Sequence, residues 1–172
     1  MKLFLFPAEM EAEPFVELCP DADVVISGVG MAATAATISK LYAEKRISKN
    51  DVVVLAGLAG SYVGELEKGD VVEVVEECCV ELPKRFQREY SVEPYTNLRC
   101  VRSNSVHGKG AEASGAEVEN MECAALFDMA EVLGFRAVEI RAISNYVGED
   151  FAHWIVYDAL NALAEELVNY YE

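Results

Sequence analysis

Basic residues are scarce in this sequence. Its 172 residues include 14 lysines and arginines against 30 aspartates and glutamates, so the formal net charge is −16 at pH 7. Nucleic acids present phosphates that need a basic face, and anionic membrane surfaces attract clusters of lysine and arginine. The charge therefore argues against nucleic acid and membrane surfaces as partners, whereas an acidic surface by itself favours solubility.

Long hydrophobic runs are also missing. Residues 2–6 (KLFLF) are apolar but too short for a signal peptide, and acidic residues follow at once. No run approaches the roughly 20 apolar residues that a membrane-spanning helix needs. We therefore expect neither a signal peptide nor a membrane span.

The cysteines lack the spacings of metal sites and redox motifs. They are Cys19, Cys78, Cys79, Cys100 and Cys123, an odd number without a CxxC pair or Cys/His metal spacing. This pattern predicts reduced cysteines in a cytoplasmic protein, and no metal site. Cys123 could be a nucleophile because an acid precedes it, but a small buried residue is the better interpretation.

Apolar residues are plentiful and alternate between strand-like and helix-like segments. They make up 52% of the chain, enough for the core of a single domain over residues 1–172. The predicted strands are 2–6, 22–27, 51–57, 69–77, 99–106 and 135–144. Helices are predicted within 8–18, after a glycine turn in 28–46, and at 119–133 and 151–171, with loops at 82–98 and 107–117. This order predicts an α/β fold with a mixed, largely parallel central sheet flanked by helices.

Residues 118–127 (VENMECAALF) place two acids at the start of a helical pattern. Acids in a first turn complement the helix dipole, and this interpretation suits Glu119. Glu122 lies between Met121 and Cys123, facing the apolar run that follows. The local pattern alone leaves its role open between a first-turn acid and a functional group.

Residues 28–33 (GVGMAA) fit the dinucleotide-binding fingerprint G-x-G-x-x-G/A. They follow the second predicted strand rather than the first. The next strand ends in Leu55-Ala56-Gly57, without the acid that would hold a ribose. A tight turn with close helix packing is therefore the better interpretation, and we expect no cofactor.

Five stretches carry a resemblance to a known family. They are AEMEAEPF (8–15), SGVGMAATA (27–35), LAGLAGSYVGELEKGDVVEV (55–74), VENMECAALF (118–127) and IRAISNYVGED (140–150). In this order they resemble the nucleoside phosphorylase and nucleosidase superfamily, and within it the futalosine hydrolase family, a relative of methylthioadenosine/S-adenosylhomocysteine nucleosidase. The resemblance covers most of the chain and thins over residues 80–115, where this chain is shortened.

The resemblance implies a nucleosidase that hydrolyses a purine nucleoside, most closely futalosine to hypoxanthine plus dehypoxanthine futalosine in menaquinone biosynthesis. No arginine occurs between Phe4 and Lys40, where the superfamily's phosphorylases hold phosphate, so water is the expected nucleophile. The resemblance also implies a homodimer that completes the site. Two alternatives stay open: a methylthioadenosine/S-adenosylhomocysteine nucleosidase, and a degenerate, non-catalytic nucleoside-binding protein.

The catalytic residues that the resemblance implies are Glu11 and Asn145. Glu11 would activate water as a general base, although Glu9 and Glu13 compete for this assignment. Adenine-cleaving relatives carry an aspartate at position 145, which can donate a proton. An asparagine amide can instead hydrogen-bond to N7 and to an oxygen on C6. Asn145 therefore favours a 6-oxopurine such as hypoxanthine.

The resemblance also implies a set of substrate-binding residues. Glu122 would accept hydrogen bonds from both ribose hydroxyls and favour the developing cation, with Met121 packing on the sugar. Arg141 would brace the site, and Leu58 stands where relatives carry serine. The other predicted binding residues are Ala59, Gly60, Asn120, Ser144, Trp154 and His107. Trp154 could equally belong to the core, and His107 could be an exposed loop residue.

Overall fold

A computed structural model describes residues 1–62, 64, 66–108 and 112–171 of the protein. The strands are β1 (Lys2–Phe6), β2 (Val24–Ile26), β3 (Val52–Ser61), β4 (Val71–Cys78), β5 (Glu89–Ser91), β6 (Arg99–Ser105), β7 (Val118–Asn120) and β8 (Arg136–Tyr146). The α-helices are α1 (Glu9–Leu18), α2 (Met31–Ala43), α3 (Cys123–Leu133) and α4 (Val156–Val168). Among the described residues, no helix is long and apolar enough to cross a membrane.

The strands form one mixed sheet that closes on itself. β3 pairs in parallel with β8, β8 antiparallel with β4, and β4 in parallel with β6. β6 then pairs in parallel with β7, which returns antiparallel to β3 and completes the ring. β1 and β2 extend in parallel from β3, and β5 lies antiparallel on β4. The predicted α/β class with a mixed sheet is confirmed, but the closure was not predicted.

Two apolar layers cover the two faces of the sheet, and β1 contributes side chains to both layers. Leu3 and Leu5 belong to the cluster that packs with α2 and α3, whereas Phe4 and Phe6 pack with α1 and α4. Successive side chains of a strand point to opposite faces, which produces this division. Burial of both faces explains why residues 2–6 read as a continuous apolar run rather than an alternating one.

The helix predicted at 119–133 begins four residues later, at Cys123. Residues 118–120 form β7 instead, because they pair with both β3 and β6. The dipole interpretation of Glu119 is therefore wrong, since this residue lies in a strand. Pairing between distant strands overrides the local helical pattern, and a three-residue strand shows no period of its own.

Other boundaries differ less. β3 and β8 continue past their predicted ends to Ser61 and Tyr146. The predicted loop 82–98 contains a short 3₁₀ turn and β5, and the last helix begins only at Val156, after a second 3₁₀ turn. Trp154 therefore precedes that helix. Residues 109–111, within the predicted loop 107–117, lie outside the described residues.

The carboxyl ends of β1, β3 and β8 meet at one edge of the sheet, because these three strands are parallel. The start of α3 approaches the same edge through β7, whose last residues pair with the end of β3. Ligands of α/β proteins commonly bind beyond the carboxyl ends of parallel strands. The topology therefore predicts a ligand-binding site at this edge of the sheet.

Candidate active site

A pocket with a cavity of about 180 Å³ lies at this edge of the sheet. Its walls are formed by Pro7, Glu11, Val29, Leu58, Ala59, Gly60, Val106, Gly108, Glu119, Asn120, Met121, Glu122, Arg141, Ser144, Asn145 and Trp154. Mostly apolar walls with a few convergent polar groups are typical of small-molecule sites. The pocket brings together every predicted site residue except His107.

Glu11, Glu122 and Arg141 form what we call the charged end of the pocket. Glu122 is the residue immediately before α3, and its side chain is 3% exposed. Its Oε1 accepts a hydrogen bond from the backbone N–H of Gly30 at 2.9 Å. Its Oε2 accepts one from Nη2 of Arg141 at 3.0 Å. These two donors hold the carboxylate in one orientation against the pocket.

Glu11 lies in the first turn of α1, and it alone of the three competing acids lines the pocket. Glu9 and Glu13 are exposed. Burial raises the pKa of Glu11 to about 7, against the opposing effect of Arg141 and with a further increase from Glu122. Within the part of the chain that the structure describes, its Oε2 is buried without a hydrogen-bond partner. Such a carboxyl group can take up a proton near neutral pH.

Arg141 in β8 links the charged end to the interior. Its Nη1 donates to the backbone oxygen of Leu58 at 3.1 Å, and its Nε donates to Glu139. Burial alone would lower the pKa of Arg141, but the carboxylates of Glu139, Glu122 and Glu11 together raise it. Arg141 therefore stays positively charged and balances several buried acids at once.

Glu139 is fully buried, and burial raises its pKa to about 8 despite the adjacent Arg141. One guanidinium cannot neutralise three carboxylates, so part of the negative charge must be relieved by protonation. The pKa of Glu139 is higher than that of Glu11, so Glu139 holds a proton more readily than Glu11 does.

Asn120 supports the charged end from behind. Its Oδ1 accepts hydrogen bonds from the backbone N–H groups of Glu122 and Cys123, both at 2.8 Å. Its Nδ2 donates to Oε2 of Glu77 at 3.0 Å and to Oγ of Ser103 at 2.7 Å. The side chain thus caps the start of α3 and fixes the backbone of Glu122. Although Asn120 lines the pocket, its amide is already engaged with the protein.

Cys123 is fully buried, and burial raises the pKa of its thiol well above the ordinary value. The carboxylates of Glu139 and Glu77 act in the same direction. A thiol that resists ionisation is a poor nucleophile. The structure therefore favours the interpretation of Cys123 as a small buried residue.

Gly60, Glu119, Ser144 and Asn145 form what we call the amide end of the pocket. Ser144 Oγ donates to Oδ1 of Asn145 at 2.8 Å. The Nδ2 of Asn145 donates to the backbone oxygen of Tyr146 at 3.1 Å. With its oxygen held by serine, the amide has a further N–H to offer to a ligand.

Strand pairing places Gly60 between the two polar side chains of the amide end. Gly60 lies opposite Asn145 on β8 and opposite Glu119 on β7. A Cβ at position 60 would lie 3.1 Å from Nδ2 of Asn145 and 3.6 Å from Cγ of Glu119. Both side chains therefore fold over the same glycine. Behind them, Tyr62 donates its hydroxyl to Oε2 of Glu119 at 2.6 Å.

No protein-family model matches the sequence. Among curated proteins, the futalosine hydrolase of Thermus thermophilus is 30% identical to this chain, over 95% of the chain and 92% of that relative. The chain belongs to the futalosine hydrolase family. This likeness confirms the resemblance that the five sequence stretches carry.

Solved structures of nucleosidases share the fold of this family member. The 5′-methylthioadenosine/S-adenosylhomocysteine nucleosidase of Helicobacter pylori, solved with butyl-thio-DADMe-Immucillin-A, superposes with a TM-score of 0.82 and 14% identity, covering 98% of this chain and 96% of that one. The native futalosine hydrolase of Helicobacter pylori gives 0.80 and 14%, covering 97% and 95%. The nucleoside phosphorylase-like α/β fold is thus confirmed.

Not every predicted residue of this futalosine hydrolase family member lies where we expected. The ring of His107 is exposed and absent from the pocket wall, although Val106 and Gly108 on either side contribute to that wall. The backbone N–H of His107 donates to Glu81 at 2.6 Å. Trp154 does line the pocket, with its ring 5.1 Å from that of Phe151.

Sequence reasoning missed two acids of this family member, Glu119 at the amide end and Glu139 beneath Arg141. Glu119 was assigned to a helix that begins only at Cys123. Glu139 falls within the predicted strand 135–144. An isolated acid in an apolar run is the feature of the sequence that could have indicated it. A charged side chain in a strand buried on both faces needs a partner, and Arg141 two residues later is that partner.

Proposed function

We propose that this protein is a nucleosidase that hydrolyses the N-glycosidic bond of futalosine and releases hypoxanthine, a step of menaquinone biosynthesis. One observation carries the proposal. A single pocket of a futalosine hydrolase family member combines a carboxyl group that titrates near neutrality, Glu11, with an amide held by a serine, Asn145. The first suits activation of water, and the second suits recognition of a 6-oxopurine.

Glu122 and the charged end would stabilise the reacting sugar. Cleavage of a glycosidic bond passes through a sugar with oxocarbenium character, so positive charge develops on the ribose. Each oxygen of a carboxylate has two acceptor sites. Glu122 can therefore accept the ribose hydroxyls while it keeps its bonds to Gly30 and Arg141. Its fixed negative charge would favour the developing cation.

Glu11 would act as the general base toward water. The unpartnered Oε2 provides an acceptor inside the pocket, and a pKa of about 7 allows proton uptake at working pH. Gly57 leaves room for Glu11 and Arg141, because glycine has no side chain. A Cβ at position 57 would lie 2.7 Å from Nη1 of Arg141 and 3.2 Å from Oε2 of Glu11. A residue with a side chain there would displace both groups.

Asn145 would hold the departing base. An N–H donor near N7 stabilises the electron density that the purine gains as the bond breaks. The same amide can donate to O6 of hypoxanthine, whereas it would face the donor amino group of adenine. The bond from Ser144 to Oδ1 supports this orientation of the amide.

The finer points of organisation are also proposals. We propose that residues 1–172 form one nucleosidase-like domain, shortened over 80–115, and that the protein works as a homodimer in the cytoplasm. The family resemblance supports these points, since it implies a homodimer that completes the site. Light scattering coupled to size-exclusion chromatography measures the oligomer directly. A monomer that turns over futalosine would contradict the need for a partner.

The decisive experiment is a substrate panel. The protein is incubated with futalosine, inosine, methylthioadenosine or S-adenosylhomocysteine, with and without phosphate, and the free base is followed by chromatography. We expect hypoxanthine from futalosine, at a rate that phosphate does not change. Glu122→Gln protein, purified in the same way, reports any contaminating nucleosidase.

Three results would contradict the proposal. Preferred release of adenine from methylthioadenosine would assign the protein to the other nucleosidase activity. A requirement for phosphate would indicate a phosphorylase. No release of base from any substrate, with binding retained, would indicate the non-catalytic nucleoside-binding protein.

A further inference from the structure

We propose that Glu119 is a specificity-determining residue, whose carboxylate accepts a hydrogen bond from the N1–H of a 6-oxopurine. This inference rests on the proposed function and specifies how the base is recognised. Glu119 lines the pocket and is 6% exposed, although it lies outside the set of residues expected to bind substrate. Its acidic side chain lies beside Gly60, Ser144 and Asn145, which are uncharged, and this placement calls for a role.

The position of Glu119 on the pocket wall supports this role. Glu119, Gly60 and Asn145 occupy one row across three neighbouring strands, with the glycine in the middle. Side chains in one row point to the same face of a sheet. The two polar groups therefore stand side by side on one wall, over the space that the glycine leaves open. A base held by Asn145 would have its next edge atoms beside Glu119.

The hydrogen-bonding groups of the pocket wall also complement those of a 6-oxopurine. Along its edge a 6-oxopurine presents N7 and O6, both acceptors, and then N1–H, a donor. The pocket wall presents the amide of Asn145, a donor, and then the carboxylate of Glu119, which in its ionised form offers acceptors and no donor. Adenine reverses the pattern at both positions, because its 6-amino group donates and its N1 accepts. Adenine would therefore leave buried groups without partners.

Tyr62 is the positioning residue for this carboxylate. Its hydroxyl donates to Oε2 of Glu119 at 2.6 Å. Burial, and then the bond to Glu119, raises the pKa of Tyr62, so its hydroxyl remains a donor across the working pH range. Tyr62 thus fixes the direction in which the Glu119 carboxylate points.

The experiment measures binding of free bases, which does not require turnover. Dissociation constants are determined calorimetrically for hypoxanthine, 1-methylhypoxanthine and adenine with the wild-type protein, Glu119→Ala, Glu119→Gln and Tyr62→Phe. We expect the wild type to bind hypoxanthine at least about tenfold more tightly than the other two bases, since a charged hydrogen bond is at stake. Glu165→Gln, which changes an exposed acid on α4, is the matched control and should behave as the wild type.

Glu119→Ala should remove most of the preference for hypoxanthine over 1-methylhypoxanthine, because it removes the acceptor and makes room for the methyl group. Glu119→Gln should weaken the preference over adenine, since its amide can also donate to N1. Tyr62→Phe should lower affinity for hypoxanthine more than for adenine. The inference is overturned if the wild type does not discriminate, or if Glu119→Ala discriminates as strongly as the wild type.

Failure of this inference is distinguishable from failure of the proposed function. Release of hypoxanthine from futalosine together with unchanged discrimination in Glu119→Ala would retain the function and reject the role of Glu119. Selective, Glu119-dependent binding of hypoxanthine without release of base from any nucleoside would retain the role of Glu119 and reject the proposed hydrolysis.

Discussion

The two ends of the pocket hold their polar groups in different ways. The charged end gathers Glu11 and Glu122 around Arg141, with Glu139 beneath, so buried acids outnumber the cation. The amide end is held by two hydrogen bonds, one from Ser144 to Asn145 and one from Tyr62 to Glu119. The interaction between charges is strong in a buried site. The strength of a hydrogen bond depends on its distance and on the angle between donor and acceptor. Damage to the charged end should therefore reduce the rate, and damage to the amide end should change which base is accepted.

The ends also differ in how the chain builds them. The charged end takes groups from α1, from the turn before α2, from the residue before α3 and from β8. The amide end comes from β3, β7 and β8 alone, which are hydrogen-bonded neighbours. The pairing of β3 with β8 shifts register between Ala59 and Gly60, and such irregularities commonly re-aim side chains near active sites.

The largest effect is expected for Glu11→Gln. Loss of the general base should reduce hydrolysis by about a thousandfold while binding of the nucleoside survives, because only proton uptake is removed. Steady-state rates and dissociation constants measure the two properties separately. Glu9→Gln and Glu13→Gln change exposed acids of the same helix and are matched controls that should remain active.

The wild-type rate should also depend on pH through Glu11. Its pKa is raised to about 7, so the carboxyl group is protonated and inactive as a base below this pH. We expect kcat/KM to fall as pH drops through about 7. Full activity in Glu11→Gln, with a dead Glu9→Gln or Glu13→Gln, would move the role of base to another acid.

Glu122→Gln should have the next largest effect. The neutral amide can still accept from the backbone N–H of Gly30, so the fold should persist. The negative charge toward the ribose is lost, and removal of one such electrostatic contact typically costs at least about a hundredfold in turnover. Turnover and circular dichroism of the same preparation test this. Unchanged turnover in a folded variant would refute the role of Glu122.

The sequence was sufficient to predict most of the fold. Residues 2–6 form β1, and residues 31–43 form a helix after a glycine turn, because apolar run length and period report local structure. Closure of the sheet could not be predicted in this way. It depends on β7, three residues whose pairing with β3 and β6 is decided by distant parts of the chain.

Residues that match a family motif, such as Glu122 and Asn145, could be expected from the sequence to lie together, and both line the pocket. Glu119 could not be assigned, because its neighbours in the pocket come from other strands. Burial favours Glu11 over Glu9 and Glu13 as the candidate base, and a helix with three alternating acids does not reveal burial in its sequence.

Asn145→Asp should alter selectivity more than stability. Aspartate loses the N–H that faces O6, so cleavage of the hypoxanthine nucleoside should weaken, and mismatched polar contacts of this kind often discriminate by about a hundredfold. Activity on the adenine nucleoside should rise, because aspartate can accept from the amino group and protonate N7. The comparison uses nucleosides with the same 5′-group. A wild-type preference for the adenine nucleoside would reject both this prediction and futalosine as the substrate.

The smallest effect concerns the support behind the charged end, and it appears in stability. Glu77 accepts a hydrogen bond from Nδ2 of Asn120. The Oδ1 of Asn120 accepts one from the backbone N–H of Glu122 and so fixes that backbone. Burial raises the pKa of Glu77 from 4.5 to about 7, against hydrogen bonds that lower it. In the folded protein this carboxyl group thus keeps its proton up to about pH 7. Its stabilising contribution is complete below about pH 4.5 and is lost as pH rises toward 7.

Glu77→Gln should remove this dependence, because its amide oxygen still accepts from Asn120 but carries no titrating proton. Near pH 5 the free energies of unfolding of variant and wild type should be similar. By pH 8 the variant should be more stable by on the order of 2 kcal/mol, since one pKa unit corresponds to about 1.4 kcal/mol. Urea unfolding from pH 5 to 9 measures the difference, and Glu165→Gln on the exposed face of α4 is the control. A difference that stays constant over this range would show that Glu77 does not titrate in the folded protein between pH 5 and 9.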